Sequence, residues 1–244
     1  MSVPGLTTIC GIAGALFAVS YAVGSIPWAY LIVKWVSGED ITAHGTGNVG
    51  AMNVRRTTGS WVWFAVAMVA DASKGIFPVL AGKSIVASFA PVSVIAPWGP
   101  QMPGLLGAGG ALAVAAFLPP LAVAGAVLGH NYSMWLAIKH RRFSRTGKGL
   151  ATGGGGVLAY DWRYFLMVVI VGLLTIAITK YMMAGQVSAA ASLPVGAIAL
   201  GSPDWPFALL MGLVVYAAHH KRFVGMLRGE EPKLYTGDRM GPRG

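Results

Sequence analysis

Residues 44–75 read HGTGNVGAMNVRRTTGSWVWFAVAMVADASKG, and how this stretch is parsed decides the fold. Gly45, Gly47 and Gly50 spell GxGxxG and Asp71 follows Gly50 by 21 residues, the outline of a dinucleotide-binding fingerprint. That motif requires a strand before it and a βαβ unit after it. Here the glycines lead instead into an apolar run, Trp61 to Ala81, that is long enough to cross a bilayer and carries Asp71 inside it. The stretch is therefore a polar glycine loop feeding a membrane helix.

Working outward, further apolar runs lie at Leu6 to Val36, Leu105 to Leu128, Tyr164 to Met183, Gly185 to Gly201 and Trp205 to His219. With 55% apolar and 11% charged residues and a mean hydropathy of +0.65, the 244-residue chain must be solvated by lipid. The first run has no basic n-region and is too long for a signal peptide, so it is expected to persist as a span. The net charge of +10 does not point to nucleic acid, because the Lys and Arg cluster beside apolar runs in the manner of cytoplasmic loops. The single cysteine, Cys10, excludes a disulfide framework and a cysteine metal site, and His44, His140 and His219 lack ligand spacing. No metal and no cofactor are expected.

Charge also sets the span count. The cluster Lys139, Arg141, Arg142, Arg145 and Lys148 and the tail over 220–244 both belong on the cytoplasmic side. Six spans would put the tail outside. The conflict disappears if Gly149 to Tyr160, GLATGGGGVLAY, crosses or leads a broken helix across. The expectation is an all-α polytopic bundle of about seven spans, one short or broken, with the N-terminus outside and the C-terminus cytoplasmic, forming a single transmembrane domain over 1–244. Only Lys83 and Arg163 then face out; Ser84 to Gly104 is an outer loop or interfacial segment, and Asp204 caps the last helix.

Phosphate binding wants many fixed donors and a planar guanidinium. The first inner loop offers the backbone N–H groups of Gly45, Gly47 and Gly50, the side chains of Thr46, Asn48 and Asn53, and Arg55 or Arg56. Asp71 and Lys74 share a helix face, and ionisable groups at membrane depth are costly and tend to be functional. Their functional reading is that Asp71 orients Lys74 toward an anion; otherwise they pair structurally. A later segment joins His130 and Tyr132 to a second glycine loop, Gly147, Lys148, Gly149. It is not a Walker A loop, since Gly149 follows Lys148 where Ser or Thr is needed. Arg141 and Arg142 read as topology or lipid-headgroup charges, and Lys148 as a phosphate ligand.

These residues resemble the bacterial acyl-phosphate-dependent glycerol-3-phosphate acyltransferases of the PlsY type. The likeness begins at Gly24 to Lys34 (GSIPWAYLIVK) and continues through Gly45, Thr46, Gly47, Asn48, Gly50, Ala51, Asn53 and Arg56. It extends to Asp71, Lys74 and Gly75, then to Gly129, His130 and Tyr132, then to Gly147, Lys148, Gly149, Ala151 and Thr152, and to His220, Gly229 and Glu231 in the tail. The resemblance implies a seven-span inner-membrane enzyme, with its site on the cytoplasmic side, that transfers an acyl group from acyl phosphate to glycerol-3-phosphate in phospholipid synthesis. Thr46, Arg56, Lys148 and His220 are the implied catalytic residues. Gly45, Gly47, Asn48, Gly50, Asn53, Asp71, Lys74, His130, Gly147 and Gly149 are the implied substrate-binding residues.

Departures from the family pattern bear on the acceptor. Met52 replaces a threonine, Arg145 and Thr146 replace Lys and Gly, a basic insertion precedes the second loop, and Phe223 stands where an asparagine is expected. A family member with another acceptor, or a transporter using the same glycine nests, are the alternative readings.

Overall fold

A computed structural model describes residues 4–45, 47–88, 115, 117–199, 201–202 and 205–230. Thr46, residues 89–104 of the expected outer segment, Asp204 and the tail from residue 231 lie outside the described residues. All regular structure among the described residues is helical. Five stretches are long and apolar enough to cross a bilayer: Leu6–Ser37, Trp61–Ala87, Leu118–His140, Trp162–Thr179 and Met182–Ala199. The chain divides into two compact units, Met1–Trp162 and Arg163–Gly244.

The first unit opens with a span that the sequence reading treats as continuous and the structure breaks. Helix α1, Leu6–Gly24, gives way to α2, Trp28–Ser37, at Pro27. Proline has no N–H and forces the preceding residue out of the helical region, so the ladder ends at Ser25 and the carbonyl of Ile26 turns aside. Then follow a 3-10 turn, Ile41–Ala43, and the helices α3, Ala51–Thr58, and α4, Trp61–Ala87. Helix α4 runs past the expected end at Ala81, so the start of the expected outer segment, Ser84 to Ala87, is helix. After the gap come α5, Leu118–Asn131, with prolines in its first turn, then α6, Met134–His140, and α7, Leu150–Tyr160.

Helix α7 is the stretch on which the span count turned, and it carries four consecutive glycines, 153–156. Each costs a helix roughly 1 kcal/mol relative to alanine, so the run makes sense only if close packing repays it. It does. A β-carbon on Gly155 would overlap the carbonyl of Ala72 on α4, and one on Gly156 would lie 3.1 Å from Val123 on α5. Reciprocally, Gly75 on α4 lies against the backbone of Thr152 and Gly156. Helices α1 and α5 meet in the same way, Gly24 against Ala126 and Gly129 against Tyr21. Small residues let membrane helices approach at backbone distance. At the far end of α7, Lys83 Nζ donates to the carbonyls of Ala159 and Tyr160, both at 2.9 Å, which caps the helix.

The second unit contains α8, Trp162–Thr179, α9, Met182–Ala199, and α10, Trp205–Leu227. Gly172 of α8 packs on Ala189 of α9, and Ser188 donates to the Thr175 hydroxyl at 2.9 Å. Lys180, with φ of 64°, makes the turn between them.

Candidate functional site

Both glycine loops of the first unit lie at one end of the helices and are joined by hydrogen bonds. In the first loop, Gly45 and Gly47 adopt φ values of 54° and 68°, a left-handed backbone that side chains rarely tolerate. Asn53 supports the loop from below: it is 1% exposed, and its amide donates to the carbonyls of Ile41, at 3.1 Å, and His44, at 3.0 Å. That amide is spent on the loop itself. Asp40 closes the loop's first turn by accepting from Thr42 N at 2.9 Å. Partial burial pushes its carboxyl toward a higher pKa, but the Thr42 hydroxyl, the Thr42 N–H and Lys139 outweigh it and hold the group below its ordinary value.

The loop ends at Gly50, which begins α3 without a side-chain cap, and Asn48 lies beside it. The two arginines of α3 pack differently. Arg55 places its guanidinium 3.8 Å over the ring of Trp61. Arg56 is exposed, and its stem passes Gly45.

Val49 N donates to Thr146 O at 2.7 Å, which ties the first loop to the second. Thr146 is held in turn by Asn131 O, which accepts from its N–H at 2.8 Å, and by His130 O, which accepts from its hydroxyl at 3.1 Å. Gly147 is pressed on the His130 ring, and its carbonyl accepts from Arg145 Nε at 3.1 Å. Lys148 is exposed between two buried glycines. Gly149, with φ of 72°, starts α7 and is again an N-cap without a side-chain acceptor. Each loop therefore delivers a helix N-terminus whose leading N–H groups receive no side-chain cap, an arrangement suited to anions.

Beneath the second loop lies a buried ionic cluster. Lys74 Nζ is 2.7 Å from Asp71 Oδ1 and 3.0 Å from His130 Nδ1, and it donates to Ile26 O at 2.9 Å. Asp71 and Lys74 are each 2% exposed. His130 Nδ1 also lies 3.6 Å from Asp71 Oδ1, so the ring adjoins both members of the pair, with its Nε2 edge toward Gly147. At the Pro27 break the Ile26 carbonyl accepts from Trp28 N at 3.0 Å and also anchors Lys74. The sequence reading allows either a structural pair or an Asp71 that orients Lys74 or a neighbouring donor toward an anion; Lys74 has three partners here inside the protein. The cluster links α1, α4 and α5 to the floor of the second loop.

Of the residues expected at the site, Gly45, Gly47, Asn48, Gly50, Gly147, Lys148 and Gly149 lie on the two joined loops, Asn53 and Arg56 lie on α3 beside the first of them, and Asp71, Lys74 and His130 lie under the second. Thr46 is outside the described residues. His220 belongs to the second unit, exposed on α10 with Nδ1 2.9 Å from Ala217 O. Three participants escaped the sequence reading: the Ile26 carbonyl, Thr146 as the link between loops, and Tyr21, whose hydroxyl donates to Tyr132 O at 2.7 Å. Pro27 was the available signal for the first.

The comparisons with known proteins agree with this architecture. The family model described as glycerol-3-phosphate acyltransferase matches residues 14–229. Among curated relatives, the glycerol-3-phosphate acyltransferase of Desulforudis audaxviator is 32% identical over 222 residues, covering 90% of this chain and 94% of the relative. That of Synechococcus sp. strain JA-2-3B'a(2-13) is 34% identical with the same coverage. The crystal structure of PlsY (YgiH), an integral membrane glycerol 3-phosphate acyltransferase, in its glycerol 3-phosphate form superposes with a TM-score of 0.66 at 26% identity, covering 91% of this chain and 94% of that one. Its lysophosphatidic acid form gives the same TM-score at 25% identity.

Proposed function

The chain belongs to the glycerol-3-phosphate acyltransferase family and is a multi-pass membrane enzyme that acylates glycerol-3-phosphate to lysophosphatidic acid; we propose that its acyl donor is an acyl phosphate and that the two joined glycine loops form its phosphate site. The observation that carries this reading is the Val49 N to Thr146 O bond, which makes one cradle of two loops that are far apart in sequence. Each brings an uncapped helix N-terminus and an exposed cation, Arg56 in one and Lys148 in the other. Two phosphorylated substrates call for that doubled provision.

In this mechanism the acyl chain lies in lipid and its phosphate in the cradle. The glycerol-3-phosphate hydroxyl attacks the acyl carbonyl, a new ester C–O bond forms, the bond from acyl carbon to phosphate oxygen breaks, and the hydroxyl proton leaves with inorganic phosphate. Arg56 and Lys148 hold charge through attack and departure, while Thr46 and Asn48 fix phosphate oxygens. Asp71, Lys74 and His130 act from below as positioning residues, and Asn53 shapes the first loop. The proposal includes seven spans acting as one transmembrane domain, an external N-terminus, a cytoplasmic C-terminus, and a bacterial-type inner membrane with the site on the cytoplasmic face. The positive-inside distribution of the basic clusters supports that orientation.

The donor is tested by supplying glycerol-3-phosphate with acyl phosphate, acyl-CoA or acylated carrier protein in turn. Turnover with acyl phosphate alone is expected. Turnover with either thioester and none with acyl phosphate would remove the donor assignment.

A further inference from the structure

The basic segment between α6 and the second loop is not used by the mechanism above, and its geometry differs from that of a passive topology signal. From Asn131 to Tyr160 there is no acidic residue. Three of the cations in and beside this segment are already engaged: Lys139 is 3.4 Å from Asp40 Oδ2 and lies 4.8 Å over the ring of Tyr30, Arg145 donates to Gly147 O, and Lys148 belongs to the cradle. Arg141 and Arg142 are different. Both are exposed, and among the described residues neither side chain makes an ion pair or hydrogen bond. The nearest carboxylates are already engaged, Asp40 by Lys139 and Glu39 by His44 at 3.4 Å.

Arg141 also occupies a strained position. It terminates α6 with φ of 51° and ψ of 31°, a left-handed C-cap that glycine or asparagine fills at lower cost. A bulky residue at such a position carries a backbone cost that its side chain must offset. The flanking surface is apolar and exposed: Trp135 is 48%, Ile138 70% and Phe143 68% accessible. Phe143 is nonetheless fixed, stacked on Tyr132 with ring centroids 5.6 Å apart and planes inclined by 12°. Two unpartnered guanidinium groups set among ordered aromatic and aliphatic side chains at the end of a membrane helix match the layered chemistry of a bilayer interface, anionic oxygen above hydrocarbon.

The geometry points to Arg141 and Arg142 as a headgroup clamp for anionic phospholipid, with Trp135, Ile138 and Phe143 seated in the adjoining acyl layer. Guanidinium recognises a phosphate through paired N–H donors, which lysine cannot reproduce. Neither arginine has a role in the acyl-transfer step, so the clamp can fail while the acyltransferase reading stands.

The test reconstitutes the full chain in phosphatidylcholine vesicles containing trace spin-labelled phosphatidylglycerol or spin-labelled phosphatidylcholine and measures the motionally restricted fraction of each. The wild type is expected to favour phosphatidylglycerol, with a selectivity of roughly five-fold per engaged arginine at low salt, declining as salt rises. R141Q/R142Q should bring the two lipids close to parity while keeping the wild-type acyl-transfer rate in phosphatidylcholine. R141G relieves the backbone strain, so it should raise the Tm and still lower the selectivity. Unchanged phosphatidylglycerol preference in the folded double variant would overturn the clamp, as would an R141G protein that is both more stable and fully selective.

Discussion

Gly75→Ala offers a perturbation of known size at a place where the fold and the site are coupled. A β-carbon there would overlap the Thr152 carbonyl oxygen and stand 2.6 Å from Gly156 N and 3.1 Å from Gly156 Cα. All three are backbone atoms of α7, so no side-chain rotation relieves them. Restoring ordinary contact near 3.5 Å requires α7 to retreat from α4 by roughly 1.5 Å at its closest point. Overpacking of this kind costs about 1–3 kcal/mol, which lowers Tm by about 2–4 °C per kcal/mol for a chain of this length. The kinetic effect should be larger in proportion, because α7 begins at Gly149 and carries Lys148 on its leading edge. Displacing a catalytic group by about 1 Å costs on the order of 10²-fold in rate. The assay is acyl transfer and thermal unfolding in detergent, beside Gly14→Ala as control, since a β-carbon on Gly14 meets nothing within 4 Å. If folded G75A matched G14A in both rate and Tm, the packing of α7 on α4 would not be what positions the second loop.

Lys74→Met leaves Asp71 buried without its nearest cation, and breaking a buried pair costs about 3–5 kcal/mol. Unfolding should show that loss, with part of it recovered in D71N/K74M; additive losses in the cycle would mean that the two residues do not interact. Arg55→Gln removes the contact with Trp61 and should cost about 0.5–2 kcal/mol of stability, leaving KM for glycerol-3-phosphate unchanged; a raised KM would put Arg55 in the site. Asp40 has a folded pKa below its ordinary value, so its stabilisation is complete above about pH 3.9 and is lost as pH falls through the lowered value. Thermal unfolding of Asp40→Asn should therefore lack part of the acid limb of the wild type, and coincident curves would show that Asp40 does not hold the first loop.

Much of this was legible in the residues. Helix class followed from apolar runs too long for any soluble core, and the two loops from glycines placed among donors and cations. The break in the first span was signalled by Pro27 but masked by an uninterrupted apolar run, because hydropathy registers solvent and not backbone geometry. The long-range partners of Lys74 were hidden for a related reason. Spacing puts Asp71 and Lys74 on one face, but the partners that consume the ammonium, Ile26 O and His130 Nδ1, lie 48 and 56 residues away. The contact of Arg55 with Trp61 was likewise hidden, because only the fold of α3 against α4 brings that ring under the guanidinium. Nothing in sequence pairs Val49 with Thr146, since backbone hydrogen bonds between loops leave no trace in residue type.

The central claim is that the two loops make one phosphate site for acyl transfer. Purified protein incubated with acyl phosphate and glycerol-3-phosphate should release lysophosphatidic acid and inorganic phosphate in equal amounts, and Arg56→Ala and Lys148→Ala should each lower the rate by roughly 10²-fold or more while remaining folded. Absence of lysophosphatidic acid from a folded wild-type sample, or wild-type rates in both variants, would contradict it.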